Sequence, residues 1–131
     1  VWQQPEEHKE EQDTYEQFLV KKDVQFIEKI HQVIEENLDN SDFNIDTIAS
    51  TIGLSRSAFF KKLKSLTGFA PVDLVKEIRL NKSIELIKNS DMSISEIAFA
   101  VGFKDSGYFS KCFRKKYDQT PREYMNEWRK G

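Results

Sequence analysis

Residues 45–54 (IDTIASTIGL) and residues 94–103 (ISEIAFAVGF) carry one pattern twice. Ile45, Ile48, Ala49 and Gly53 return as Ile94, Ile97, Ala98 and Gly102, at an offset of 49 residues. After one inserted residue, Phe59, Lys61 and Pro71 return as Phe109, Lys111 and Pro121, while Leu63 becomes Phe113. Two copies are too few for a solenoid, so they describe a duplicated small unit. Each copy reads helix, glycine, helix, the layout of a helix-turn-helix. Ala49 and Ala98 let the two helices cross closely, and Gly53 and Gly102 make the sharp turn at little steric cost. Ile48, Ile52, Leu54, Phe59 and Leu63 are the expected core of the first unit. Ile97, Val101, Phe103, Phe109 and Phe113 are their counterparts in the second.

The flanking sequence supplies more helices and no strand alternation, so the predicted fold is all-α. Phe26, Ile27, Ile30, Val33, Ile34 and Leu38 recur at three- and four-residue steps, which predicts a helix from Lys22 to Leu38. The first helix-turn-helix spans 45–67, with Ser55 capping its second helix and Gly68 stopping it. Pro71 opens a longer linker helix over 71–89. The second helix-turn-helix spans 94–117, started by Ser93 or Ser95 and capped in its second half by Asp105. Pro121 opens a last helix ending near Trp128, which Tyr124 and Trp128 pin to the second unit. Residues 1–21, rich in Gln and Glu, read as an acidic connector from a preceding domain, either linker or frayed helix. The chain begins with Val rather than Met, as expected of a piece of a longer protein, and the domain proper is placed at 22–131.

Composition narrows the class. The 131 residues are 38% hydrophobic and 32% charged, too apolar for a disordered chain and too charged for a membrane one. No apolar run or basic-then-apolar leader indicates a membrane span or a signal peptide, so no membrane contact is expected. The single cysteine, Cys112, forms no internal disulfide and suits a reducing, cytoplasmic compartment. The formal charge of −2 conceals a division. Residues 53–131 hold sixteen bases and nine acids, whereas residues 1–52 hold thirteen acids and four bases. A basic C-terminal part suggests a polyanionic partner.

The outer face of each second helix carries the functional expectation. In the first copy Phe59, Leu63 and Leu66 point inward, leaving Ser57, Phe60, Lys61 and Lys64 outward. In the second, Phe109, Cys112 and Phe113 point inward, leaving Ser106, Gly107, Ser110, Lys111 and Arg114. Slim residues lead and bases follow one turn later, as a helix entering the major groove requires. A lone surface lysine is usually a solvated one. The same placement in two units favours nucleic acid. Phe60 is either a core residue out of register or an apolar contact to a thymine methyl. Ser55 and Arg56 suit phosphate, and Ser55 can cap at the same time. Helix dipoles aimed at phosphate would add to this.

Catalysis finds no support. His31 pairs with Glu35 at helical spacing, and no His or Cys cluster has metal-ligand spacing. Neither a glycine-rich phosphate loop nor a nucleophile elbow occurs. Cys112 reads as a small core residue. No cofactor and no enzymatic activity are expected of this chain.

The second unit, ISEIAFAVGFKDSGYFSKCFRKKYDQTPREY, and the first, IASTIGLSRSAFFKKLKSLTGFAPVDLVKEIRL, together resemble the DNA-binding domain of the AraC/XylS family of bacterial transcription regulators. The resemblance runs from about residue 24 to 129, through Ile97, Ala98, Val101, Gly102, Phe103, Tyr108, Phe109, Phe113, Pro121 and Tyr124, and through Ser55, Leu63, Gly68, Pro71 and Arg79. It implies seven helices and two recognition helices, here about 56–66 and 106–116, in successive major grooves on one face of double-stranded DNA, about 34 Å apart. The family's base-contacting positions fall on Ser57, Phe60 and Lys61, then Ser106, Gly107, Ser110 and Lys111, of which Phe60 and Gly107 depart from the usual polar residues. Ser55, Arg56, Lys64 and Arg114 are the expected phosphate contacts. The LSRSAFFKKLKSLTG variant and acidic connector resemble the C-terminal output domains of hybrid two-component regulators of gut Bacteroidetes. That implies phosphorelay control, an activating role, RNA polymerase as a partner, and dimerisation through an N-terminal region. It also implies a full-length protein with histidine kinase activity and possible membrane anchoring. Two competing expectations are a family member controlled by a directly bound small ligand and a helical protein-docking adapter without DNA contact.

Overall fold

The computed structural model describes the backbone of residues 4–129 and the side chains of residues 14–129. Seven helices and no strand occur there: α1 (Gln4–Glu36), α2 (Asp46–Ile52), α3 (Arg56–Thr67), α4 (Pro71–Asn89), α5 (Ile94–Ala100), α6 (Ser106–Tyr117) and α7 (Pro121–Trp128). The two helix-turn-helix units are α2–α3 and α5–α6. In the repeat, Phe59 and Phe109 have no exposed surface, and Ala49 and Ala98 are buried at the crossings. Gly53 and Gly102 turn the chain at φ of 81° and 97°.

Local chemistry sets most boundaries. Ala58 N donates to Ser55 Oγ at 3.1 Å, so Ser55 caps α3. Ser93, rather than Ser95, starts α5, through a reciprocal capping box with Glu96. Asp105 Oδ1 accepts from Gly107 N at 2.8 Å at the head of α6. Pro71 and Pro121 open α4 and α7.

Two expectations change. α1 begins at Gln4, well before Lys22, and crosses residue 22 unbroken. Gln, Glu and Lys are good helix formers, and their polarity hides that propensity from an apolar-period reading. Among the described side chains of α1, Phe26, Ile30 and Ile34 are buried, while Tyr15, Phe18 and Leu19 are exposed. Leu66, expected inside, is 38% exposed. It lies on the inward side of α3, but that 12-residue helix outruns its 7-residue partner α2.

The linker helix α4 meets α1 and α3 as well as α5 and α7. At about 100° per residue, Pro71, Val75 and Ile78 fall on one side of α4 and Leu80, Ser83 and Ile87 on another. All six are buried. Ser83 satisfies its hydroxyl on Leu80 O at 2.6 Å. At the far end of α4, Arg129 donates to Ile87 O (3.0 Å), Met92 O (2.8 Å) and Leu86 O (3.4 Å). The bond to Ile87 satisfies a carbonyl that the helix C-terminus leaves open, and the bond to Met92 ties in the loop beyond it.

A junction behind the second turn joins the units. Arg79 of α4 donates through Nη2 to Asn40 O at 3.0 Å, and Lys104 pairs with Asp42 at 2.8 Å. A Cβ on the buried Gly102 would collide with the Leu38 carbonyl oxygen and lie 2.7 Å from Arg79 Nε. At Gly53 it would meet nothing within 4 Å. Gly53→Ala should therefore cost about 1–2 kcal/mol, the left-handed backbone penalty alone. Gly102→Ala should cost about 3 kcal/mol or more, because collision adds to strain. Urea denaturation of the two variants checks the difference.

Candidate nucleic-acid interface

The outward faces of α3 and α6 keep the order expected of them. On α3, Ser57, Phe60, Lys61 and Lys64 are exposed, with Phe60 at 45%, so Phe60 is not a core residue. On α6, Gly107, Lys111 and Arg114 are exposed, whereas Ser106 and Ser110 are half-buried. Ser110 Oγ donates to Ser106 O at 3.0 Å, so the hydroxyl has its acceptor lone pairs left for a partner.

The cations divide into paired and unpaired. Lys82, Lys104 and Lys116 pair with Glu85, Asp42 and Glu77, and Lys62 lies over the Phe26 ring at 4.3 Å. Among the described residues Lys61, Lys64, Lys111 and Arg114 have no ion-pair partner. Arg56 does: its Nη2 lies 2.6 Å from Asp46 Oδ2 on α2. The sequence reading missed that pair, because it spans a turn and the two residues share no helix. The Arg56 side chain remains 81% exposed, with N–H groups left over.

The two helix heads differ. Ser55 accepts from Ala58 N and keeps its own hydroxyl proton for donation, so capping and an outside contact are compatible. At α6 the Asp105 carboxylate already occupies the helix N-terminus. A dipole effect on phosphate is thus open at α3 and largely taken at α6. Gly107 sits against this cap: an added Cβ would come within 3.3 Å of Asp105 Oδ1.

α6 is oriented from behind by α4. Lys116 Nζ donates to Asn81 Oδ1 at 2.7 Å and pairs with Glu77, and Tyr117 Oη donates to the same Asn81 oxygen at 3.1 Å. The Phe109, Tyr117 and Tyr124 rings all pack around Phe113, Phe109 and Tyr124 edge-on, with the Phe113 and Tyr117 centroids 4.6 Å apart. Trp128 is 53% exposed, but it lies against Tyr124 and under Lys88 Nζ at 4.2 Å. Burial, then the Glu77 charge, pushes the Tyr117 hydroxyl up to about 12. His31 and Glu35 form the expected exposed pair at 3.7 Å. Among the described residues no helix is long and apolar enough to cross a membrane.

Two helix-turn-helix units on a shared linker helix, each presenting unpaired cations behind a slim helix head, define a double helix-turn-helix protein. A family model described as a helix-turn-helix domain matches residues 48–127. The chain belongs to that family, as an AraC-type DNA-binding domain of transcription regulators. It is 38% identical over 106 residues to histidine kinase P4 of Formosa agariphila, covering 81% of this chain and 8% of that protein. The chain thus spans a small fraction of that curated relative's length. The DNA-binding domain of AdpA, solved in complex with a target DNA, superimposes with a TM-score of 0.72 at 27% identity, over 78% of this chain and 91% of that one. The C-terminal domain of AraT, a response regulator from Geobacillus stearothermophilus, gives 0.70 at 27% identity, over 77% and 84%.

The raised Tyr117 value sets an alkaline signature. The folded state favours the neutral phenol, so this stabilisation is complete below the unfolded value of 10.0 and is lost as pH rises towards about 12. Thermal melts across that window should show a shallower decline in Tyr117→Phe than in the parent.

Proposed function

We propose that this domain is the transcription-activating output module of a two-component regulator, reading double-stranded DNA with α3 and α6 in successive major grooves. The observation that carries the reading is the set of unpaired cations, Lys61, Lys64, Lys111 and Arg114, at matching places on two duplicated helices. Ser57, Phe60 and Lys61 contact bases from α3, as do Ser106, Gly107, Ser110 and Lys111 from α6. Ser55, Arg56, Lys64 and Arg114 contact phosphates. Phe60 offers its ring to a thymine methyl or sugar. The half-buried Ser106 and Ser110 contribute short-range hydroxyl contacts.

Similarity to a histidine kinase and to a response regulator's output domain supports phosphorelay control. In this reading residues 1–21 connect the module, 22–131, to a phosphorylated domain, in a larger protein with kinase activity in the cytoplasm or at the membrane. Dimerisation outside the module then raises occupancy by effective concentration. RNA polymerase is the partner at the promoter.

Selection from a random duplex pool should return two short motifs about 10 base pairs apart. Lys61→Ala and Lys111→Ala should each cost about 1–3 kcal/mol at one base position and relax selectivity there. Lys64→Ala and Arg114→Ala should weaken all sequences alike and lower the salt slope by about one. An undiscriminating loss for Lys61→Ala or Lys111→Ala reassigns that lysine to phosphate. Asp46→Ala, which frees Arg56, should change stability by less than about 1 kcal/mol and steepen the salt dependence of DNA binding.

A further inference from the structure

A cleft of about 450 Å³ opens between the two units beside α4. Val72 and Val75 of α4 form one side. Ile45, ahead of α2, Phe103, in the turn ahead of α6, and Tyr108, in the first turn of α6, form the others. The volume and the largely apolar lining are those of sites that hold small organic molecules. At the rim, Val72 is 69% exposed and Tyr108 is 49% exposed.

Two cations line the cleft with their charge uncompensated. Neither Lys76 nor Arg79 has a carboxylate within ion-pair distance among the described residues. Arg79 spends Nη2 on Asn40 O, and its buried Nε has no hydrogen-bond partner. Burial lowers the Arg79 pKa, the mark of a guanidinium partly stripped of water. The Lys76 ammonium lies 5.8 Å from the Tyr108 ring centre, and its contact with the Tyr108 side chain holds its pKa above the ordinary value. Of the other charged groups lining the cleft, Lys104 is neutralised by Asp42, and Asp105 is held by the Gly107 N–H. Asp73 acts on Lys76 only at longer range.

We propose that this cleft binds a small organic anion: a flat apolar body lying against Val72, Val75, Phe103 and Tyr108, with one carboxylate directed to Lys76 and Arg79. A partly desolvated cation without a counter-charge is costly, and a carboxylate is the group whose geometry a guanidinium edge matches. The DNA backbone suits the place less well, because its hydrated phosphates are met by exposed cations, whereas these are recessed beside apolar walls. The occupant touches both units, since the cleft takes its walls from the root of α2 and the head of α6. The proposal rests on the cleft alone and not on how α3 and α6 read DNA.

Naphthalene-2-carboxylate is a probe of this shape and charge, and naphthalene-2-carboxamide is its neutral match. Titrated into the 131-residue chain and followed by amide NMR shifts, the carboxylate should saturate, with shifts clustered at Val72, Lys76, Gly102 and Tyr108. The carboxamide should bind about tenfold more weakly, a loss of about 1.4 kcal/mol. Val72→Trp, at an exposed position that tolerates the change, should fill the cleft and abolish binding. Lys76→Gln should weaken the carboxylate and leave the carboxamide unchanged. The proposal is overturned by the absence of saturable shifts, by shifts centred on Phe60 or Phe99, by equal binding of the two probes, or by shifts at the cleft with duplex DNA but not with the carboxylate.

Discussion

The linker helix has to be buried from two sides. A helix with one apolar stripe can serve one unit, but α4 places Pro71, Val75 and Ile78 on one side and Leu80, Ser83 and Ile87 on another. Its sequence therefore has no strong amphipathic signature, as expected of an element packed most of the way round. The placement of α3 and α6 relative to each other follows from how each unit seats on this helix. The contacts that specify the seating are polar and few. Arg79 reaches the loop after α1, Lys116 and Tyr117 meet on Asn81, and Arg129 binds the Ile87 carbonyl near the end of α4. Apolar burial holds α4 in place, and these directional bonds orient its neighbours.

Charge follows a parallel division of labour. Acids and bases nearly balance over the chain, and several cations are tied to a carboxylate or a ring. Lys104, Lys116, Lys82, Lys62 and Lys88 are all engaged in this way. Lys61, Lys64, Lys111 and Arg114 are not. Potential at a surface depends on charge left uncancelled locally, so a chain of net negative charge can still present two positive helices.

Much of this was legible in the sequence because it is local or repeated. The duplicated Ile, Ala and Gly spacing marked both units, and the caps at Ser55 and Asp105 and the prolines at 71 and 121 marked helix starts. The outward face of α3 and α6 follows from helical period alone. What escaped is long-range or hidden by composition. The Gln- and Glu-rich first stretch is helical although it has little apolar period to show it. Leu66 has the right phase for the inward side and is nonetheless 38% exposed. The Arg56–Asp46 pair, the hold of Arg129 on Ile87, and the crowding of Gly102 by Leu38 and Arg79 join residues that no local pattern connects. For Gly53 and Gly102 the sequence showed equal turns, and only the packing distinguishes a glycine needed for its φ from one needed also for its missing side chain.

The helices α3 and α6 share a scaffold but not a tip. One presents Phe60 beside a neutral serine cap, the other a bare Gly107 behind an aspartate. A symmetric homodimer offers the same surface at both ends, so its site reads alike in either orientation. Here the pair belongs to one chain and its members are unlike. With both helices reading DNA as proposed, a site for this domain has a head and a tail, and binding points the protein along the duplex in one direction. Turning such a site around would leave its sequence intact and face everything attached to the domain the other way.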